Sequence, residues 1–311
     1  MLYIEPSAGI APVLQVIRSA RHQVNLNGYL VDEGPILRAL AAAHARGVDV
    51  RVMIEGKPYG LKPWQVQNEA RRIEATGAAV KYAPNRFESQ GSHWRFDHGK
   101  WTCSLHECEI GSPNYTYAGF GHDRDYLVDT QNSEVVRAAN AVFNAEWNKQ
   151  YAPTRAHQVL VLSPGTSARQ LLQVIGQPGT IDVESEELGP YRPILDALAA
   201  KGKDLRLILP ASINREDQRD VNFLRQHGCQ VRLLPKKPLY MHAKMIVGSR
   251  LAFIGSENFT QTSLEHNREM GILLNGGDIA KLQTQFNRDW KRAGSGMSGL
   301  AAKATGWLSR F

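Results

Sequence analysis

Short apolar runs alternate along the chain with segments in which apolar residues recur every three or four positions. Residues 48–54 are rich in β-branched and apolar side chains, which is typical of a buried parallel strand. Ahead of them, Ile36 and Leu40 fall on one face of a predicted helix, and Gly47 follows where helices commonly end in a left-handed residue. Residues 205–209 and the segment before them repeat this arrangement. Strands separated by helices predict βαβ units and a largely parallel sheet covered by helices.

The pattern changes further along, where two short apolar runs stand close together. Residues 244–247 and 251–254 flank Gly248, Ser249 and Arg250, and this spacing predicts an antiparallel hairpin. The predicted fold class is therefore α/β, with mixed, largely parallel sheets flanked by helices.

The chain carries an internal duplication. Seven segments of the first half recur in the second half in the same order, so chance is a poor explanation. The period is too long for a solenoid, and we predict a duplicated domain with a polar seam near residues 151–157. The predicted organisation is an N-terminal half at 1–152, a C-terminal half at 158–293 and a tail at 294–311. The matching segments are 13–17 with 171–175, 35–40 with 193–198, 50–54 with 205–209, 77–80 with 228–231, 98–100 with 242–244, 111–114 with 255–258, and 143–147 with 286–290.

The composition indicates a folded protein with a mild basic excess. Of 311 residues, 42% are hydrophobic and 22% are charged, which favours a packed core over disorder. Lysine and arginine number 37 against 30 aspartate and glutamate, a net charge of +7. This excess favours anionic partners such as nucleic acid or phospholipid head groups, but a basic protein without an anionic partner is equally consistent with it.

The cysteines and the apolar runs bear on the compartment. Three cysteines are too few for a disulfide scaffold and fit a reducing compartment. Cys103 and Cys108 could face each other across a tight hairpin, but a disulfide between them is the less expected outcome. They lack the spacings of zinc sites, and we expect neither a metal nor a cofactor. No apolar run approaches the roughly 18 residues of a membrane span, and the first residues lack a signal-peptide pattern. We expect a cytoplasmic or peripheral membrane protein, unless a leader has been removed, and a monomer.

Polar residues suited to phosphate chemistry recur in both halves in the same register. His98-Gly-Lys100 is followed by Gly-Ser-Pro-Asn114, and His242-Ala-Lys244 by Gly-Ser-Glu-Asn258. One His-x-Lys pair alone is most simply a chance surface feature, but alternate residues of a strand share a face, and two copies predict a site. Asp125 lies 27 residues after His98, and Glu269 lies 27 residues after His242. These acids have an alternative interpretation as ion-pair partners of the preceding arginines, Arg124 and Arg268.

Each of these residue types has a chemical role at a phosphodiester. The lysines supply positive charge and the asparagines supply neutral donors for the phosphate oxygens. The serines of the two Gly-Ser-x-Asn motifs either assist the phosphate or shape the turn, and the first role is slightly favoured. The predicted phosphate-binding residues are Lys100, Lys244, Asn114, Asn258, Ser112 and Ser256.

The two histidines are predicted to divide the acid–base work. A neutral imidazole can attack phosphorus and form a covalent phosphohistidine, while a protonated one gives its proton to the departing oxygen. Asp125 and Glu269 are each expected to hold a ring N–H and set the tautomer. Equivalent positions that differ between the halves are expected to break their symmetry. Asp125 corresponds to Glu269, and Asp97 corresponds to Met241.

The paired His-x-Lys and Gly-Ser-x-Asn motifs resemble those of the phospholipase D superfamily, and the likeness extends over residues 2–293. It implies two α/β halves about a pseudo-two-fold axis, with both histidines facing one phosphate and no metal. It also implies His98 as nucleophile and His242 as acid. The family motif places an aspartate five residues after the lysine, where this chain has Leu105 and Ser249. Because that aspartate is largely structural in the family, we expect activity to survive.

The motifs predict that a phosphate binds, but they do not identify the groups esterified to it. A resemblance to short cardiolipin-synthase-like members favours a phospholipid substrate at a membrane surface. So does the tail, where Leu300, Trp307 and Phe311 mix with basic residues, although a frayed or packed terminus fits equally. A nuclease is the alternative, because residues 86–87 and 94–96 set aromatics beside cations ahead of His98. A phosphate-binding protein without turnover is a third hypothesis.

Overall fold

Two halves of similar architecture make up the computed structural model, which describes residues 1–305, with the backbone alone for residues 295–305. The elements of the first half are β1 (Leu2–Ile4), α1 (Ala11–Ser19), β2 (Gln23–Gly28), α2 (Gly34–Ala45), β3 (Asp49–Ile54), α3 (Pro63–Glu74), β4 (Ala79–Tyr82), β5 (Trp101–Cys103), β6 (Cys108–Gly111), α4 (Tyr117–Gly121), β7 (Asp123–Arg124), β8 (Tyr126–Thr130) and α5 (Ser133–Trp147). Those of the second half are α6 (Ala156–Val159), β9 (Val161–Ser163), α7 (Ser167–Ile175), β10 (Ile181–Ser185), α8 (Arg192–Ala200), β11 (Leu205–Pro210), α9 (Arg215–Gln226), β12 (Gln230–Leu234), β13 (Tyr240–Met241), β14 (Lys244–Val247), β15 (Ala252–Gly255), β16 (Glu269–Leu274) and α10 (Gly277–Thr305).

Each half contains a mixed sheet, as predicted. The strand orders are β1-β8-β6-β5-β2-β3-β4 and β12-β11-β10-β14-β15-β16-β9. Strands β2, β3 and β4 are parallel, as are β10, β11 and β12, and the other neighbours within these two sheets are antiparallel. The parallel part is therefore smaller than expected, because strands joined by a tight hairpin must run antiparallel.

The halves pack through the inner faces of their sheets. One apolar cluster combines inner-face residues such as Trp101 and Tyr126 of the first sheet with Met245 and Ile254 of the second, together with α5 and α10. Separate clusters on the outer faces join each sheet to its own crossover helices, α1 to α3 in the first half and α7 to α9 in the second. Because both faces of each sheet are buried, the sequences of central strands such as β15 are apolar without an alternation of polar residues.

The end of α2 follows the expectation for Gly47, which has φ of 81° and stands just beyond the helix. An amino acid with a Cβ is strained in this left-handed conformation, so glycine ends the helix there at little cost.

The expectation for Cys103 and Cys108 was wrong, because the structure joins them in a disulfide. The hairpin register sets the two residues directly opposite each other, with Cα atoms 4.1 Å apart. That separation is slightly shorter than the range usual for disulfides. Cys229 is free and buried.

The tail hypothesis falls largely outside the described residues, since nothing is described of residues 306–311 or of the side chains from 295 onward. Within the described part of the chain, no helix combines the length and apolar character that a bilayer crossing requires.

Two buried ion pairs connect the halves in a matching way. Arg124 of the first half makes a two-pronged contact with Asp289 on α10, with Nε–Oδ2 at 2.7 Å and a second N–O distance of 3.2 Å. Arg268 of the second half binds Glu146 on α5, with Nε–Oε1 at 2.6 Å. All four residues are at most 4% exposed. Fork-shaped guanidinium groups suit such carboxylate pairing, and its geometry sets the register of one half on the other.

We predict that Arg124→Met destabilises the protein by about 3–5 kcal/mol, because Asp289 would stay buried without its cation. Asp289→Leu should cost a similar amount, and the double variant should recover much of the loss. Urea unfolding of the four proteins measures this, with Arg192→Met at the exposed pair with Asp196 as control, where a change below about 1 kcal/mol is expected. A double variant that loses the sum of both single effects would contradict the prediction.

Candidate active site

Each motif delivers its histidine and lysine to the start of a central antiparallel strand. His98 and Lys100 immediately precede β5, and His242 precedes Lys244, the first residue of β14. Both lysines are nearly inaccessible, at 1% and 0% exposure. Each lysine Nζ donates to the carbonyl oxygen of the histidine in its own motif. The two side chains of a motif therefore belong to one half-site, as their spacing predicts.

Backbone pairing between the halves brings a distant residue to each histidine. The amide of His98 donates to the carbonyl of Arg268 at 2.8 Å, and that of His242 donates to the carbonyl of Arg124 at 3.3 Å. The neighbouring strands β13 and β7 pair in parallel, and Asp97 forms the equivalent bridge with Arg268. The residue after each arginine is the predicted acid, so each acid meets the histidine of the other half.

The acids indeed bind the ring nitrogens across the halves. His98 Nδ1 lies 3.0 Å from Glu269, and His242 Nδ1 lies 2.9 Å from Asp125. Each histidine is thus oriented with Nε2 left for chemistry. The alternative interpretation of these acids as partners of the preceding arginines was wrong, because the arginines bind Asp289 and Glu146 instead.

The serines lie beside the acids and the backbone. Ser112 Oγ donates to Asp125 at 2.5 Å and accepts from the amide of Tyr126, while Ser256 Oγ accepts from the amide of Met270. These contacts favour the turn-shaping role over direct phosphate contact, which stays a prediction.

The asparagines have spare hydrogen-bonding capacity. Asn258 donates to Glu187 at 3.3 Å, and the buried Oδ1 atoms of both Asn114 and Asn258 have no partner within the described residues. An amide oxygen only accepts a hydrogen bond, so these atoms could bind a donor of a ligand. Donation from the two side chains to a phosphate stays a prediction.

The two histidines have opposite proton affinities. Burial lowers the pKa of His98 to about 4, against the opposing charge of Glu269. Burial also disfavours the charged form of His242, but Asp125 and Glu186 outweigh it and raise the pKa of His242 above its ordinary value of 6.5. The surroundings therefore favour the neutral form of His98 and the charged form of His242.

The two half-sites share one electrostatic environment. Burial, opposed by Glu269, lowers the pKa of Lys100 to about 7, and the charge of Lys244 contributes to the lowering. Lys244 also lowers the pKa of His98. Two cations held close together without solvent form a strong anion site, and a bound phosphate would restore the charge of Lys100.

The sequence analysis missed Glu186, the first residue after β10. Its Oε2 lies 2.8 Å from Lys244 Nζ and 3.4 Å from His242 Nε2. The charges of His242 and Lys244 hold its pKa well below the usual range despite burial. The pKa of Glu187 beside it is raised to about 7 by loss of hydration and by the charge of Glu186. The available signal was a carboxylate directly after residues 181–185, a segment for which no strand was predicted.

Aromatic rings line the approach to His98. Tyr29 meets His98 edge-on with centroids 4.8 Å apart, Phe96 packs on Tyr29, and Trp94 stacks on Phe96. Trp94 is 50% exposed, so the row of rings reaches solvent. Residues 86–87, the other aromatic–cation pair of the sequence analysis, lie elsewhere, since Arg86 packs over Phe87 and bonds to carbonyls near residue 150.

Asp123, Asp125 and His242 offer possible metal-ligand atoms within 4.8 Å of one another. In the structure, however, Asp125 accepts the hydrogen bond that orients His242 through Nδ1. A cation there would compete with that orientation, so the arrangement suits a proton-carrying histidine better than a metal ligand.

The positions of the missing motif aspartates lie in hairpin turns at the far ends of β5 and β14. Leu105 is 47% exposed, in a turn where Ser104 Oγ accepts from the amides of His106 and Glu107. Ser249 lies in a turn whose next two amides donate to the side chain of Gln177. Other polar groups therefore close both turns.

Two matching α/β halves that bring paired histidines and lysines to one interface have the architecture of the phospholipase D superfamily. The chain belongs to this superfamily and, within it, to the family described as cardiolipin synthase, PLD-like domain, whose model matches residues 13–147 and 179–290. The members of this class carry out phosphodiester chemistry. No curated protein sequence matches the chain.

Solved structures share the fold at low identity. The phosphatidylserine synthase of Haemophilus influenzae Rd KW20 is 12% identical, with a TM-score of 0.63 over 94% of this chain and 85% of that one. The polyphosphate kinase of Porphyromonas gingivalis is 14% identical, with a TM-score of 0.67 over 90% of this chain. The chain spans 45% of the length of that kinase.

The crossed pairing of acids and histidines can be tested without turnover. We predict that Asp125→Asn lowers the pKa of His242 by about 1–3 pH units, because a contacting anion is lost, and leaves His98 nearly unchanged. Glu269→Gln should lower the pKa of His98 instead. Imidazole ¹⁵N NMR titrations of the two variants, assigned with His98→Gln and His242→Gln, provide the measurement. A pKa change confined to the histidine of the mutated half would refute the crossed pairing.

Proposed function

We propose that the chain is a metal-independent phosphodiesterase of the phospholipase D type, which cleaves or transfers a phosphodiester through a covalent phosphohistidine on His98. One observation carries the proposal: two equivalent histidines share a site, but burial lowers the pKa of His98 to about 4, whereas two carboxylates raise the pKa of His242. A nucleophile and a proton donor are the complementary pair that a two-step displacement needs.

In the first step, His98 Nε2 attacks phosphorus while Glu269 holds the Nδ1 proton. The P–N bond forms and the P–O bond to the leaving alcohol breaks, and His242 gives its Nε2 proton to that oxygen. In the second step, His242 takes a proton from water or an acceptor alcohol, whose oxygen attacks phosphorus and releases His98. Two in-line displacements retain the configuration at phosphorus.

Charge stabilisation is assigned to this chain's own cations. Lys100 and Lys244 each donate to the carbonyl of the histidine in their own motif, and the side-chain N–H groups of Asn114 and Asn258 are assigned as further donors. As phosphorus is attacked, negative charge grows on its non-bridging oxygens, and preorganised buried donors stabilise that charge strongly.

A phospholipid is the substrate class that the electrostatics favour. On the His242 side, the carboxylates of Asp123, Glu186 and Glu187 all interact electrostatically with that histidine. A polynucleotide would carry further phosphates toward these carboxylates, whereas a head group with hydroxyl or ammonium groups would find acceptors. On the His98 side, the aromatic row offers apolar surface. A nuclease remains the alternative, since exposed Trp94 beside Arg95 also suits base stacking.

The covalent step gives a direct test. We predict that a phosphoryl adduct on His98 is trapped by rapid quench, and that His98→Ala removes adduct and activity together. His242→Ala should let the adduct accumulate with a nitrophenyl leaving group, because breakdown lacks its base. Mass spectrometry of the two histidine peptides identifies the site. Turnover without an adduct on either peptide would indicate direct attack by water, and an adduct only on His242 would reverse the roles.

Substrate class and metal independence can be tested side by side. We expect turnover of phosphatidylglycerol or phosphatidylcholine vesicles to exceed that of single-stranded DNA, and to be unchanged by EDTA because two lysines neutralise the phosphate. A chromogenic phosphodiester serves as a control for general activity. Preference for DNA would establish the nuclease alternative, and loss of activity in EDTA that a metal ion restores would refute metal independence.

A further inference from the structure

One position beside the catalytic pair is not duplicated. The register of β2 on β5 and that of β10 on β14 place Tyr29 in the first half where Glu186 stands in the second. Histidine, lysine, serine, asparagine and acid all recur in both halves. A neutral phenol and a carboxylate therefore face otherwise matching machinery.

Glu186 completes the surroundings of His242. Asp125 binds Nδ1 at 2.9 Å, and Glu186 Oε2 approaches Nε2 at 3.4 Å from the opposite side of the ring. The same carboxylate accepts from Lys244 Nζ at 2.8 Å and from the hydroxyl of Tyr240 at 3.3 Å. With an acceptor at each ring nitrogen, both N–H groups of a charged imidazole have partners.

Tyr29 gives His98 different surroundings. Its ring lies edge-on to the imidazole, and its hydroxyl accepts from the amide of Tyr59 at 2.6 Å. Glu269 binds Nδ1, and in the described part of the chain Nε2 has no carboxylate partner. His98 therefore has one acceptor where His242 has two.

The other differences between the halves separate the histidines less. Asp125 and Glu269 are both carboxylates in equivalent contacts. Asp97, which replaces Met241, accepts from the side chain of Asn27, and burial together with the charge of Glu146 raises its pKa well above the usual range. The charged form of Asp97 is thus disfavoured.

We propose that Glu186 is the positioning residue that makes His242 the proton donor, and that phosphate displaces its carboxylate when substrate binds. The inference rests on the proposed function. Oε2 stands between Lys244 Nζ and His242 Nε2, the two atoms that would meet a phosphate oxygen and the leaving oxygen. The carboxylate therefore stabilises the proton on the free enzyme and competes with the phosphate for the same donors.

Several charges act on His242 besides Glu186. Asp125 supports its protonation and Lys244 opposes it, while Asp123 and Glu187 interact with it more weakly. Removing the Glu186 charge leaves Asp125 as the one contacting carboxylate within the described residues, which resembles the surroundings of His98. The protonated form of His242 then loses stability and releases its proton at lower pH.

Opposite effects on binding and turnover distinguish this role from a structural one. In Glu186→Gln, inorganic phosphate should bind several-fold more tightly as an inhibitor, because its competitor has lost its charge. Turnover of short-chain phosphatidylglycerol should fall by about 10²-fold, because its alkoxide leaves only with a proton. Turnover of a nitrophenyl phosphodiester, whose leaving group needs no proton, should change less than about 3-fold. The alkaline limb of the lipid pH profile should move to lower pH.

Matched variants complete the experiment on the full chain. Glu186→Asp keeps the charge and should recover part of the lipid turnover. Asp196→Asn removes an exposed carboxylate of the same half, which pairs with Arg192, and should leave the ratio of lipid to nitrophenyl turnover unchanged. The ¹⁵N titration of His242 in Glu186→Gln provides a readout without turnover, and its pKa should fall.

Different results would overturn the role of Glu186 and the phosphohistidine mechanism. An unchanged His242 pKa in Glu186→Gln, or equal losses on both substrates with weaker phosphate inhibition, would overturn the role of Glu186 while leaving the phosphohistidine mechanism intact. Absence of any histidine adduct in the unmodified protein would instead overturn the proposed function itself.

Discussion

The crossed arginine–carboxylate pairs are the interaction on which the site depends. Arg124 and Arg268 each extend from one half into a carboxylate on the last long helix of the other half, where solvent is excluded. Leaving any of these charges without its partner is costly, so the relative position of the two sheets is narrowly defined. The backbone beside each arginine then pairs with the segment that carries the opposite histidine.

Because the halves pair in this crossed way, neither half contains a complete site. Each histidine takes its orienting carboxylate from the other half, although its lysine comes from its own motif. The duplication supplied the histidine and the carboxylate twice. Each histidine nevertheless pairs with the carboxylate of the other half, as residues of two subunits pair in a symmetric dimer. Packing between the inner faces of the sheets is therefore as important for the chemistry as the motifs are.

In the proposed mechanism, two histidines in equivalent positions hold different numbers of protons, although the fold is nearly symmetric. A two-fold arrangement of lysines and acids cannot distinguish them. The structure places a carboxylate on one side and an aromatic ring on the other at a single equivalent position, beside the atoms that meet the substrate. We propose that this one residue acts strongly because both imidazoles are little exposed, at 12% and 7%, where a contacting charge is little screened.

The sequence by itself determined the duplication, the α/β class, the hairpin after the second motif and the residues that recur for phosphate chemistry. These features follow from local periodicity and from repeated spacing, which are visible along one chain. Three-dimensional structure alone decided which carboxylate meets which histidine, and that Arg124 binds Asp289. It also decided that Cys103 faces Cys108 closely enough to form a disulfide, and that Glu186 reaches Lys244. Such contacts join residues far apart in the chain or depend on exact strand register, and equal spacing within each half cannot show that the partners are exchanged between halves.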